Sequence, residues 1–113
     1  IPNGDLIRGE HTWPKIARYF GMETGPRRRL SLVQFMADKA PVWERIVAKH
    51  GLRPYSYHEI VNWAYGDFVF TPEYDVISST HKARRYGFHD CVDTEEMFAR
   101  LWDEMRAERI IPP

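Results

Sequence analysis

The stretch "SSTHKARRYGF", residues 78–88, decides the fold. Its three hydroxyl residues favour a helix start, because a side-chain oxygen there accepts from an orphan amide of the first turn. Either Ser79 or Thr80 serves as the cap for a short basic helix, "HKARRYG". Gly87, between Tyr86 and Phe88, takes the left-handed conformation that stops it. Next comes "DTEEMFARLWDEMRAER", residues 93–109. Asp93 is its N-cap, and Glu95 and Glu96 suit the positive end of the macrodipole. Met97, Phe98, Leu101, Trp102 and Met105 recur at the helical period and face inward. Just upstream, "YDVIS" at 74–78 alternates and is β-branched, which predicts a short strand.

Working outward, the rest reads as helices with short connections. "WPKIARYF" places Trp13, Ile16, Ala17 and Phe20 on one face. Thr12 is the expected N-cap, Pro14 falls in the first turn where no amide partner is lost, and Gly21 is the stop. Ser31 and Gln34 have the spacing of a capping box for "SLVQFMADKA". Pro41 opens "PVWERIVAKHG", with Val42, Trp43, Ile46 and Val47 as its stripe and Gly51 as its end. Ser56 and Glu59 form a second capping box before "YHEIVNWAY". No internal repeat, low-complexity tract or linker interrupts this order.

A chain of 113 residues is at most one ordinary domain, and its 43% apolar content is enough for a small core. Sixteen basic and sixteen acidic residues cancel. Zero net charge argues against a nucleic-acid binder, which relies on phosphate neutralisation, and against a polybasic membrane anchor. No apolar run reaches the ~20 residues of a membrane span. A lone cysteine, Cys91, excludes an internal disulfide and points to a reducing compartment, hence a cytoplasmic location. The opening "IPNGD" lacks an initiator methionine and has the look of a cut end.

The chain's own residues offer no catalytic constellation. His11, His50, His58, His81 and His89 form no metal-ligand pattern and read as structural or surface residues. Cys91 reads as a small buried hydrophobe rather than a nucleophile. The arginines at 27–29 read as a solvated loop rather than a phosphate grip. No glycine-rich turn is present to cradle a dinucleotide, so no cofactor-binding and no catalytic residue is assigned. "VNWAYGDFVF", 61–70, crowds Trp63, Tyr65, Phe68 and Phe70 around a glycine. Such density serves either a core or the wall of an apolar ligand pocket.

"SSTHKARRYGFHDCVDTEEMFARLWDEM", 78–105, resembles the C-terminal end of an extended short-chain dehydrogenase/reductase. "NGD" (3–5), "WPKIARYFGME" (13–23), "KAPVWERIVAKHGL" (39–52), "GDFVF" (66–70) and "ERIIP" (108–112) narrow this. They resemble, in the same order, the progesterone 5-beta-reductase/iridoid synthase-like branch and especially its bacterial epimerase-type members. The resemblance implies a mainly α fold with one or two short strands: residues 1–113 as the helical C-terminal substrate domain of an α/β Rossmann-type reductase. It implies an N-terminal NAD(P)-binding Rossmann domain that is absent from this chain, with "IPNGD" as the tail of one of its strands. The cofactor, NADP or NAD, and the catalytic tyrosine and lysine would belong to that domain. The parent would reduce an enone or carbonyl substrate, or epimerise a sugar nucleotide. Tyr65, before Gly66-Asp67, matches an aromatic that lines the family's apolar pocket, and Trp63 and Phe68 are placed with it by proximity. The chain departs from the pattern at Gly9, where the family often has an aromatic, and at Tyr65, where phenylalanine is usual. An added hydroxyl in an apolar pocket needs a partner, so the plant substrates are not to be assumed. Expected partners are the missing Rossmann domain, an apolar small molecule and, for the chain alone, a second copy. The alternative is a stand-alone helical interaction module without activity.

Overall fold

Capping chemistry sets most of the element boundaries in the computed structural model, which describes residues 3–113. The helices are α1 (Gly9–Tyr19), α2 (Leu32–Phe35), α3 (Ala40–His50), α4 (Tyr57–Ile60), α5 (Trp63–Phe70), α6 (His81–Arg85) and α7 (Thr94–Ala107). They group into two compact units, each discontinuous in sequence. One comprises the chain up to Arg27 with Val76–Leu101, the other Arg28–Asp75 with Trp102–Pro113.

In the first unit, "NGD" is a clasp on the start of α7. Asp5 accepts the Thr94 amide and the Thr94 hydroxyl, both at 2.8 Å, and Asn3 Nδ2 donates to Thr94 Oγ1 at 3.0 Å. Asp93 caps as expected, its Oδ1 accepting the Glu95 and Glu96 amides at 2.9 Å each. Every amide of the first turn is thereby paired, which a helix start requires away from bulk water. The strand tail expected at "IPNGD" falls partly on Ile1 and Pro2, which lie outside the described residues.

Helix α1 begins earlier than the sequence predicts. Arg8 is the N-cap, and the Thr12 amide already donates to the Arg8 carbonyl at 2.9 Å. Thr12 is instead buried, with its hydroxyl 3.5 Å from Glu95. Pro14 therefore sits inside the helix, where it removes one backbone bond. Ala17 is buried and Ile16 and Phe20 half-buried, but Trp13 remains half exposed. Cys91 is exposed rather than buried, because it lies in the solvent-facing connection before α7 with its Sγ beside Gly4.

The ends of α1, α3, α6 and α7 follow one device. After α1, α6 and α7 the chain closes with paired return bonds: Met22 N to Ala17 O at 2.8 Å, Phe88 N to Ala83 O at 3.1 Å, and Ile110 N to Met105 O at 2.8 Å. After α3, the Leu52 amide returns to Val47 O at 3.1 Å. Glycine supplies the left-handed residue at Gly21, Gly51 and Gly87, as expected. Arg109 supplies the fourth with φ 58°, a conformation that strains a residue with a Cβ.

In the second unit, Pro41 lies in the first turn of α3, and Trp43, Ile46 and Val47 are half-buried. Trp43 Nε1 donates to the Tyr55 carbonyl at 2.8 Å. Ser56 and Glu59 form the expected capping box. The helix they start ends after one turn, however. Val61 is extended, and Asn62 begins α5 by accepting the Tyr65 amide at 3.0 Å. Two short helices replace the one read across "YHEIVNWAY".

Among the described residues no strand forms. Residues 74–78 are neither helix nor strand, with Tyr74, Val76 and Ile77 exposed. A strand needs a neighbour to pair its amides and carbonyls, and this segment has none there. No helix of the described residues is long and apolar enough to cross a membrane.

Candidate functional site

Helix α5 carries all three sequence-predicted site residues, and apart from Asp67 it is apolar on every side. A helix of that composition is ordinarily buried. Here Tyr65, Phe68, Val69 and Phe70 are exposed, Tyr65 at 65% and Phe68 at 75%.

The other side of α5 is held against α2. The Asp67 carboxylate accepts the Leu32 amide at 2.6 Å, the Ser31 hydroxyl at 2.8 Å and the Val33 amide at 3.2 Å. The Leu32 amide, then the Ser31 hydroxyl and Val33 amide, hold the Asp67 carboxyl below its ordinary pKa against the opposing effect of desolvation. Ser31 Oγ also accepts the Gln34 amide at 3.3 Å, the half of the expected capping box that spans these two residues' hydroxyl and amide. Gly66 lets the helices close up, since a Cβ there would lie 2.8 Å from Leu32 Cδ1.

Trp63 turns the same way as Asp67. It is half-buried, and its Nε1 donates to the Tyr57 hydroxyl at 2.8 Å. That hydroxyl donates onward to the Met36 carbonyl at 2.8 Å. Tyr57 itself is buried. Tyr65 and Phe68 are brought together on the far side, with ring centroids 6.3 Å apart and planes tilted by 33°. The structure therefore gathers Tyr65 with Phe68 and separates Trp63 from them. The 3.6-residue period explains the split: Trp63, Gly66, Asp67 and Phe70 share one side, and Tyr65 and Phe68 fall opposite.

Sequence reasoning missed Asp67 as an anchor. The available signal was an acidic residue in an otherwise apolar helix, which must find donors or solvent.

A hollow also lies elsewhere in this unit. It is an open depression of about 410 Å³ lined by Gly51, Leu52, Arg53, Ala107, Glu108 and Arg109. Arg53 pairs with Glu108 there at 3.3 Å. Three of its six lining residues are charged and none is aromatic, which suits an apolar ligand poorly.

The remaining candidates lie on the surface. All five histidines are exposed. Among the described residues no three His, Cys, Asp or Glu side chains converge as metal ligands. Arg29 pairs with Glu73, and Arg27 and Arg28 are exposed.

No family model matches the chain. It is 35% identical over 114 residues to the (S)-8-oxocitronellyl enol synthase of Catharanthus roseus, a match covering 97% of this chain and 29% of that protein. An (S)-8-oxocitronellyl enol synthase of Camptotheca acuminata is 32% identical with the same coverage. One of Nepeta cataria is 30% identical, over 99% of this chain and 29% of its own length. The chain thus spans 29% of the length of these curated relatives. These are iridoid synthase-type proteins, and the chain is homologous, over nearly all its residues, to a stretch of the progesterone 5-beta-reductase/iridoid synthase branch.

Proposed function

We propose that this chain is the substrate-binding part of an NAD(P)-dependent short-chain oxidoreductase, with Tyr65 and Phe68 forming an apolar wall for the substrate. One observation carries the reading: two adjacent aromatic rings stand exposed on a helix whose opposite side is anchored. Exposed apolar surface of this kind serves a ligand or a partner. The homology to enol synthases favours a small apolar substrate over a polar one. The hydroxyl of Tyr65 reaches solvent on this chain, so it carries no unmet polar demand until a substrate covers it.

We assign the nicotinamide cofactor to none of this chain's own residues. Phosphates settle at helix N-termini, where amides and the macrodipole attract them. Gly21, Gly51 and Gly87 all stand at helix C-terminal ends instead, with positive φ. No chemical step is therefore assigned to these residues, and the cofactor belongs to a Rossmann domain supplied by the rest of the parent enzyme. What this chain does is bind and orient. It presents flat apolar rings that exclude water from one side of the substrate, while the reacting centre faces the other domain. That domain would also cover part of the exposed apolar surface, and a second copy covers it when the chain is alone. An enone reductase accords better with the homology than a sugar-nucleotide epimerase, whose substrate needs charged and polar contacts.

The test is kinetic. In the oxidoreductase carrying this chain, Tyr65→Ala should lower kcat/KM for an apolar conjugated enal about ten- to two-hundredfold, while NADPH affinity stays unchanged. Unaltered kinetics in both Tyr65→Ala and Phe68→Ala would remove the reading and favour an interaction module.

A further inference from the structure

We infer that Asp67 is a positioning residue that sets the rotation of α5 and so the presentation of Tyr65 and Phe68. The inference rests on the reading of α5 as a substrate wall, and it adds how that wall is held. Helix α2 has four residues, too few to be stable unaided. Its first-turn amides are nevertheless paired: Leu32 and Val33 donate to Asp67, and Gln34 donates to Ser31. One carboxylate on α5 thus organises the N-terminus of α2, and α2 in turn fixes the carboxylate.

A second tether lies at the other end of α2. The chain of bonds from Trp63 through the Tyr57 hydroxyl to Met36 O ends on the residue that caps α2. Two tethers along one side leave α5 little freedom to slide. The tether through Tyr57 runs by way of a long indole side chain. Asp67 and Gly66 act directly on α2, with the carboxylate held at three points and the glycine leaving room for the Leu32 side chain. Rotation of α5 about its axis would break all three Asp67 bonds together. The rings on the opposite side therefore inherit their orientation from Asp67.

Asparagine is nearly isosteric with aspartate but turns one acceptor oxygen into a donor. That donor would face either the Leu32 amide or the Ser31 hydroxyl and Val33 amide. Ser31→Ala, in contrast, removes the Ser31–Asp67 bond and the Gln34 cap but leaves both amide bonds to Asp67 in place. Two measurements test the proposal. In this chain, amide hydrogen exchange at Leu32 and Val33 should quicken about tenfold or more in Asp67→Asn, and much less in Ser31→Ala. In the oxidoreductase, Asp67→Asn should raise KM for trans-2-hexenal about three- to tenfold with kcat within about twofold, as expected when binding geometry is loosened. Unchanged exchange at Leu32 and Val33 overturns the proposal. So does an unchanged KM in Asp67→Asn where Tyr65→Ala raises it. If Tyr65→Ala leaves KM untouched, it is the reading of the wall that fails. The anchoring role then stands or falls on the exchange rates and on whether the Overhauser contact between Gly66 of α5 and the Leu32 methyl of α2 is lost in Asp67→Asn.

Discussion

Replacing Tyr57 by phenylalanine removes one oxygen and strands two groups. The ring keeps its packing, so no cavity opens, and the cost is confined to polar terms. Trp63 Nε1 loses its acceptor and the Met36 carbonyl loses its donor, both bonds being 2.8 Å long. Each bond is worth about 0.5–1.5 kcal/mol net, and a group left without a partner costs about 1–3 kcal/mol where water cannot replace it. Tyr57 is only 8% exposed, but Trp63 and Met36 are half-buried, so water reaches the stranded groups in part. The expected loss is therefore about 2 kcal/mol, between full replacement by water and none. At about 2.1 cal/mol/K of unfolding entropy per residue, this lowers Tm by roughly 8 °C. Urea denaturation of the wild type, Tyr57→Phe, Trp63→Phe and the double variant completes a cycle. Because the two residues share a bond, the cycle should return a coupling of about 1 kcal/mol. If Tyr57→Phe costs less than about 0.5 kcal/mol, or the coupling vanishes, the hydroxyl is not the link between α5 and α2.

Arg109→Gly should stabilise the chain by up to about 1 kcal/mol in urea melts, whereas Gly51→Ala should destabilise it by a similar amount. The two residues have nearly the same φ, 58° and 59°, so opposite signs are the check. Acid should weaken the fold through Asp5 and Asp67. The Thr94 amide lowers the pKa of Asp5 and the Leu32 amide that of Asp67, both below the ordinary 3.8. Their stabilisation is complete above that value and disappears as pH falls through the lowered values, because the unfolded chain then binds more protons. The urea midpoint should therefore drop on acidification, and Asp5→Asn combined with Asp67→Asn should flatten the drop. The isolated chain should self-associate, with sedimentation shifting towards monomer when Tyr65 and Phe68 are both replaced by serine. A wild-type monomer at high concentration would show that this surface seeks no cover.

Most helix boundaries were legible in the sequence alone. Asp93, Ser56 with Glu59, Gly21, Gly51 and Gly87 act through bonds to residues a few positions away, so their signals are local. The aromatic cluster at 61–70 and the resemblance to the reductase branch were legible too, but not the helix that carries the cluster, since one helix was read across "YHEIVNWAY" where two form. Tertiary contacts settled what local signals leave open. Thr12 does not cap α1 because it is buried with its hydroxyl towards Glu95, and the helix starts a turn earlier at Arg8, which leaves Pro14 inside it. Residues 74–78 have strand-forming side chains but no strand to pair with, and pairing is a long-range condition. The division of α5 into a held side and an open side depends on Asp67 meeting Ser31, Leu32 and Val33 across more than thirty residues. Apart from Asp67 the helix is apolar on every side, and an aspartate can turn either to solvent or to buried donors, so only the position of α2 decides that Trp63 is held and Tyr65 and Phe68 are open.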